Sequence, residues 1–182
     1  ALAETDLWAA TIDLPKGSRV EYKFEVVRHG HGELILDPLN PVKAHDPFGA
    51  NSVCQGFGYE RPHWTYEKPE ARSGTLESIA IHSDALDDER VVQVYLPARF
   101  RQNRRYALLV VHDGVDYLHY AALKTVLDNL IQALEIPPLI VALTQSPDRL
   151  IEYAGDDRHA RHIADELLPT LADRYPLIDD PR

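Results

Sequence analysis

Two uninterrupted apolar runs constrain this chain more than anything else in it: residues 107–111 read Ala-Leu-Leu-Val-Val, and residues 139–143 read Leu-Ile-Val-Ala-Leu. Neither run alternates, so each needs cover on both faces, as parallel strands inside an α/β layer do. Between them, residues 120–134 place Leu123, Leu127, Leu130 and Leu134 along one stripe, which predicts a helix. A second helix is predicted over about residues 157–174, beginning beside acidic residues and ending near Arg174 before Pro176.

Upstream of these runs the texture is antiparallel. Residues 74–82 and 90–97 alternate and are joined by an acidic turn over residues 83–89, which predicts a hairpin. Further towards the amino end, residues 7–14 alternate, with Trp8 read as a core residue, and residues 15–17 turn the chain. Residues 19–27 place Val20, Tyr22, Phe24 and Val26 on one face and predict a single half-buried strand. After the turn at His29 to Gly32, residues 34–36 can pair back onto it, and residues 37–41 lead into a long irregular segment that ends near residues 51–53. Residues 62–69 hold two prolines and few helix or strand cues, so the domain boundary falls there. The chain therefore divides into an antiparallel β-sandwich over residues 1–61, a linker over residues 62–72, and a second domain over residues 73–182.

The net charge of −10 argues against nucleic acid and anionic membranes as partners, since both repel an acidic protein at long range. No apolar run approaches the length of a bilayer span. The single cysteine, Cys54, cannot form an internal disulfide and leaves the compartment open. Residues 1–6 lack the basic start and apolar core of a signal peptide, which favours the cytoplasm, although the amino end also reads as cut and a leader could have preceded it. The oligomeric state is left open, and no cofactor is implied.

The order of the elements, with residues 91–97, the run from Tyr106 to Gly114, the strand at residues 140–143, Arg149 to Tyr153 and residues 166–169, resembles the enterochelin (iron-siderophore) esterase and esterase D group of α/β-hydrolases. Members often carry an amino-terminal Ig-like (E-set) domain. The resemblance implies a mixed fold, with the β-sandwich followed by the first half of a three-layer α/β-hydrolase and a strand order of 1-2-4-3. It also implies a serine carboxylic-ester hydrolase acting on a small-molecule ester, with a ferric siderophore among the candidates. In that family the nucleophile elbow Gly-x-Ser-x-Gly follows such a front half. The chain has no such motif, and Ser18, Ser52, Ser73, Ser78, Ser83 and Ser146 all lack its context, so the chain reads as a fragment that is inactive by itself.

What the resemblance does place here is the turn after the third strand, which supplies an oxyanion-hole N–H in related esterases. On this sequence that turn is His112 to Val115, with the Val115 N–H as donor and Gly114 allowing the tight turn. An ordinary strand-to-helix turn would look the same. Asp113, Asp116 and Tyr117 are candidates for the pocket mouth; Asp116 and Tyr117 could equally be a helix cap and a packing aromatic. His112 is not read as the base, which comes last in the hydrolase order.

The amino-terminal third also resembles glycogen-binding modules through residues 20–24, 37–41 and 49–53, which puts Lys23 and Asn51 at sugar-binding positions. The stacking tryptophan expected after the turn is missing, because residues 32–35 read Gly-Glu-Leu-Ile, so a domain that frames the esterase cleft is the stronger reading. The alternative function is a non-catalytic module that binds glycans or a protein. His159 and His162 lie one helical turn apart, but they are read as part of the helix's polar side rather than as metal ligands. The acidic residues 84–89 are read as a solvated hairpin tip.

Overall fold

The computed structural model describes residues 4–5 and 9–179 and divides into two compact units, Ala1–Arg61 and Pro62–Arg182. The first unit holds five strands: β1 (Arg19–Tyr22), β2 (Phe24–Arg28), β3 (His31–Ile35), β4 (Lys43–Asp46) and β5 (Gly49–Gln55). They form a three-stranded sheet β1-β5-β4 and a separate hairpin β2-β3, all antiparallel. The single strand expected over residues 19–27 is thus two strands in two sheets. The alternation of side chains runs on through Lys23, but the backbone changes partner there, β1 pairing with β5 and β2 with β3. Tyr22 fixes the end of β1: its hydroxyl donates to Asp37 Oδ2 at 2.6 Å and accepts from Asn40 Nδ2 at 3.1 Å.

The segment expected to be irregular after residue 41 is a hairpin, β4 to β5. Its turn is Asp46-Pro47-Phe48-Gly49, where Asp46 Oδ1 accepts the Phe48 N–H at 2.7 Å and Gly49 takes a φ of 134° that glycine tolerates best. Leu7 and Trp8 of the expected first strand lie outside the described residues, and residues 9–14 form no strand. Among the described residues of this unit only Ser52 and Val53 are buried. Phe24, expected to face inward, is 46% exposed.

The second unit is organised around a four-stranded sheet in the order β6-β7-β9-β8, with β6 (Thr75–Ser83), β7 (Asp88–Leu96), β8 (Ala107–Val111) and β9 (Leu139–Leu143). The hairpin β6-β7 and the pair β7-β9 are antiparallel, and β8 runs parallel to β9 in register from Ala107 with Leu139 to Val111 with Leu143. No residue of β8 is buried and its Leu109 is 42% exposed, so the two-sided cover expected of residues 107–111 is incomplete, but at β9 and the adjoining end of β7 the sheet is covered on both faces. One face carries Ile79, Ile81, Val92, Val94, Ile140 and Ala142 against Leu167, Leu171 and Tyr175. The other carries Tyr95, Val141 and Leu143 against Leu127, flanked by Leu118, Leu123 and Ile131. Ile140, Val141, Ala142 and Leu143 are all fully buried, which accounts for the unbroken apolar run.

The helix expected over residues 120–134 is the shorter α2 (Leu123–Gln132); Tyr120 ends a separate helix, α1 (Gly114–Tyr120), and the two are divided where Ala122 adopts a left-handed φ of 51°. Leu134 is not on the buried stripe: it is 87% exposed with a φ of 60°. Its N–H and that of Glu135 satisfy the Ile131 and Leu130 carbonyls, a left-handed helix stop of the kind glycine usually makes. Residues 62–69 contain one short 3-10 turn, His63–Thr65, tied to α2 by Asn129 Nδ2, which donates to the Trp64 and Tyr66 carbonyls. Beyond β9 come α3 (Arg149–Glu152), α4 (Asp157–Arg161), one π-helical stretch (His162–Leu167) and α5 (Leu168–Arg174). After α5, Leu177 forms a parallel bridge with Tyr106 on the outer edge of β8.

Candidate active site

The parallel pair β8 and β9 ends side by side, so the segments leaving their carboxyl ends are forced together. Thr144 N–H donates to the Val111 carbonyl at 2.9 Å, and Gly114 N–H donates to the Thr144 carbonyl at 2.8 Å. Gly114 packs so close to β9 that a Cβ there would sit 2.3 Å from Leu143 Cβ and 2.6 Å from its Cα. No other residue fits that position without moving backbone. The residue before it, Asp113, takes a left-handed φ of 53° and ψ of 33°. That conformation costs a residue with a Cβ about 1–3 kcal/mol, at the lower end for aspartate.

From this turn α1 begins. Gly114, Val115 and Asp116 occupy its first turn, where backbone N–H groups have no carbonyl four residues back inside the helix. Gly114 spends its N–H on Thr144, and Tyr117 N–H returns to the Asp113 carbonyl at 3.1 Å. Asp116 accepts from Gln145 Nε2 at 3.3 Å and caps nothing, while Tyr117 is 50% exposed.

A cleft of about 580 Å³ opens at this end of the sheet, lined by His112, Asp113, Tyr117, Glu152, Tyr153 and His159 among others. Three rings pack at steep angles in its wall: His112 lies 5.1 Å from Tyr153 and 5.3 Å from His159, centroid to centroid, and Tyr153 lies 5.3 Å from His159. His112 is oriented by Thr144 Oγ1, 3.3 Å from its Nδ1. Neither ring nitrogen of His159 has a hydrogen-bond partner, and its Nδ1 stands 3.6 Å from Glu152 Oε2. Burial first, and then the neighbouring His112, hold the His159 imidazole below its ordinary pKa, with Glu152 opposing them. Burial likewise pushes the Tyr153 phenol up, so it stays protonated at neutral pH. Glu152 is itself bonded to Arg90, with Nη2 to Oε1 at 2.7 Å. The wall therefore sets the protonated Tyr153 phenol, whose oxygen receives the Asp113 N–H, beside His159, whose two ring nitrogens are buried and unpartnered.

Of the residues singled out from sequence, Asp113 and Tyr117 line this cleft and Gly114 and Val115 begin the helix beside it. Lys23 and Asn51 belong to the other unit. Lys23 stands in the break between β1 and β2, and Asn51 turns its amide nitrogen to Glu21 Oε2 at 2.9 Å and Asp46 Oδ2 at 3.0 Å. His159 and Tyr153 are cleft residues that periodicity did not mark, and Arg149 reaches the cleft residue Asp113.

The placement of His159 and His162 on a polar helix face is also corrected. His162 is only 3% exposed and bonds Glu166 Oε2 at 2.9 Å, because the π-helical stretch from His162 turns this side chain inward. The hairpin tip at residues 84–89 is anchored as well as solvated: Ser83 Oγ and the Ala85 N–H both donate to Glu166, at 2.5 Å and 2.9 Å. Among the described residues no group of three or more His, Cys, Asp or Glu could hold a metal ion, and no helix is long and apolar enough to cross a membrane.

A family model described as "Putative esterase" matches residues 83–182, more than half of the chain. The curated "Uncharacterized protein YjcH" of Bacillus subtilis (strain 168) is 27% identical over 112 residues, which cover 58% of this chain and 47% of that protein. Among solved structures, the ferric enterobactin esterase of Salmonella typhimurium superimposes with a TM-score of 0.73 at 21% identity, covering 99% of this chain and 52% of that one. The enterobactin esterase FES of Shigella flexneri, crystallised in the presence of enterobactin, gives 0.65 at 23% identity, covering 81% and 39%. The CE1 ferulic acid esterase AmCE1/Fae1A of Anaeromyces mucronatus gives 0.56 at 18% identity, covering 65% and 50%. This chain spans about half or less of the length of each of these relatives.

Proposed function

The chain belongs to the putative esterase family, and from that premise we propose that it carries the oxyanion side of a serine carboxylic-ester hydrolase, in the front half of an α/β-hydrolase domain preceded by an Ig-like module. The observation that carries this reading is the turn Asp113-Gly114 at the carboxyl end of a parallel strand, where Asp113 and, on α1, Tyr117 line a cleft. Ligand sites in open α/β sheets lie beyond the carboxyl ends of the strands. The strand order β6-β7-β9-β8 and the parallel bridge of Leu177 outside β8 also favour it.

In this mechanism a serine gives its proton to a histidine base and attacks the ester carbonyl, the Val115 N–H donates to the oxygen on which charge builds, the ester C–O bond breaks as the alcohol leaves with that proton, and water then hydrolyses the acyl-enzyme to the acid. A serine in Gly-x-Ser-x-Gly context is absent from these 182 residues, so the isolated chain is proposed to be inactive. A siderophore-type ester is the proposed substrate class, by analogy with the enterobactin esterases.

The test has two arms. The 182-residue chain should neither turn over p-nitrophenyl butyrate nor be labelled by a fluorophosphonate; labelling of any of its serines, with turnover, would refute the division of the site. The full-length natural protein carrying these residues should hydrolyse the same ester. There Val115→Pro, which removes the N–H at a first-turn position where proline is tolerated, should lower kcat by about 10²–10³-fold. A full-length protein without hydrolysis, or a Val115→Pro variant with unchanged kcat, would overturn the reading.

A further inference from the structure

We infer that Arg149 and Tyr153 are positioning residues which clamp the Asp113 turn and so aim the Val115 N–H into the cleft; the functional part of this inference rests on the esterase reading, while the clamp itself does not. Asp113 is held from two sides by one short element. Arg149 Nη2 lies 2.8 Å from Asp113 Oδ2, and the Asp113 N–H points to the Tyr153 hydroxyl oxygen at 3.4 Å. Arg149 and Tyr153 are four residues apart, so they leave the same side of the single turn that is α3.

That turn is in its place for a separate reason. Glu152, on α3 between the two clamp residues, receives Arg90 of β7 through Nη2 at 2.7 Å and Nη1 at 3.4 Å, and the side chains are only 8% and 11% exposed. A buried ion pair with two contacts fixes direction as well as distance. The order of support thus runs from β7 through Glu152 to α3, and from α3 through Arg149 and Tyr153 to the left-handed Asp113.

The turn needs this support. A residue with a Cβ drifts out of the left-handed region unless its surroundings hold it there. Gly114, one residue on, is pinned from the other side by its bond to Thr144 and by the closeness of Leu143. With Asp113 clamped and Gly114 pinned, the peptide that carries the Val115 N–H has one orientation. With the clamp released, Asp113 can relax and that N–H swings away.

The experiment is amide NMR on the 182-residue chain, which needs no ester chemistry. Arg149→Gln and Tyr153→Phe should each shift the Val115 amide resonance and speed solvent exchange of the Gly114 amide by roughly tenfold, while the β8–β9 amides keep their protection. Arg149→Lys should restore part of the wild-type pattern. Adding Arg149→Gln to Asp113→Asn should change nothing further, because the two act through one contact. An unchanged Val115 resonance and Gly114 exchange rate in both single variants would overturn the clamp. So would a loss of protection spread evenly over β8 and β9, which would mark the residues as general stabilisers. If the clamp holds while the full-length protein cleaves no ester, the esterase reading fails and the clamp stands.

Discussion

The left-handed Asp113 and the pinned Gly114 show how narrowly single residues define this site. An alanine at Gly114 would bring its Cβ into contact not only with Leu143 Cβ but with Leu143 Cα and carbonyl carbon at 2.6 and 2.9 Å, so a change of side-chain rotamer cannot relieve it. Gly114→Ala should therefore destabilise the chain at the upper end of the overpacking range, about 3 kcal/mol, read as a lower midpoint in urea denaturation with an unchanged slope. An unchanged midpoint would mean that α1 stands further from β9 than described. This glycine was legible in the sequence, because a tight His-Asp-Gly turn directly follows an unbroken apolar run. The clamp was not: Arg149, Tyr153 and His159 reach Asp113 and His112 only through the crossover of β9, and no local pattern records that meeting. His162 was read on the wrong face because α-helical spacing was applied across a π-helical stretch.

At the scale of elements, Glu166 joins the last helical segment to the β6-β7 hairpin. Burial pushes its carboxyl up, but the Ser83 hydroxyl, His162 and the Ala85 N–H outweigh that and bring it from 4.5 down to about 2. A carboxyl whose pKa is depressed on folding contributes stability above its unfolded value and loses it as pH falls through the folded one. Stability should accordingly decline between about pH 4.5 and pH 2, and Glu166→Gln should show a shallower decline across that window. Urea midpoints at several pH values would check it, and parallel curves for the two proteins would exclude Glu166 as the source. The pieces that this residue ties together were visible as alternation in the hairpin and as apolar spacing in the helix. Other boundaries were hidden for identifiable reasons. Residues 19–27 alternate without interruption, so nothing marks the exchange of partners at Lys23. Lys43-Ala44-His45-Asp46 carries no β-branched or aromatic residue, so β4 has no strand signature despite the turn that follows it. Leucine at the left-handed stop after α2 replaces the glycine that would have announced it.

Over the whole molecule, the two units differ in how they are built. The second covers β9 on both faces, as its unbroken apolar run implied, but leaves β8, whose run reads the same, without a buried residue. The first buries only Ser52 and Val53 among its described residues and leaves Phe48 and Phe57 79% and 86% exposed. The sequence resemblance to glycogen-binding modules, with Lys23 and Asn51 at its sugar positions, makes glucan binding the property to test on this unit. The geometry argues against it. Asn51 directs its amide nitrogen to Glu21 and Asp46, where a sugar hydroxyl would have to compete with two carboxylates. Residues 32–35, where the stacking tryptophan would be expected, lie in β3 and carry no aromatic ring. Phe57 is occupied in part by Lys16, whose ammonium lies 5.7 Å from the ring centre. Titration calorimetry of the 182-residue chain with maltoheptaose should accordingly show no binding tighter than roughly 100 μM, about 5.5 kcal/mol. Tighter binding that Lys23→Ala or Asn51→Ala then abolished would locate a glycan site on this unit and make it a carbohydrate-binding module.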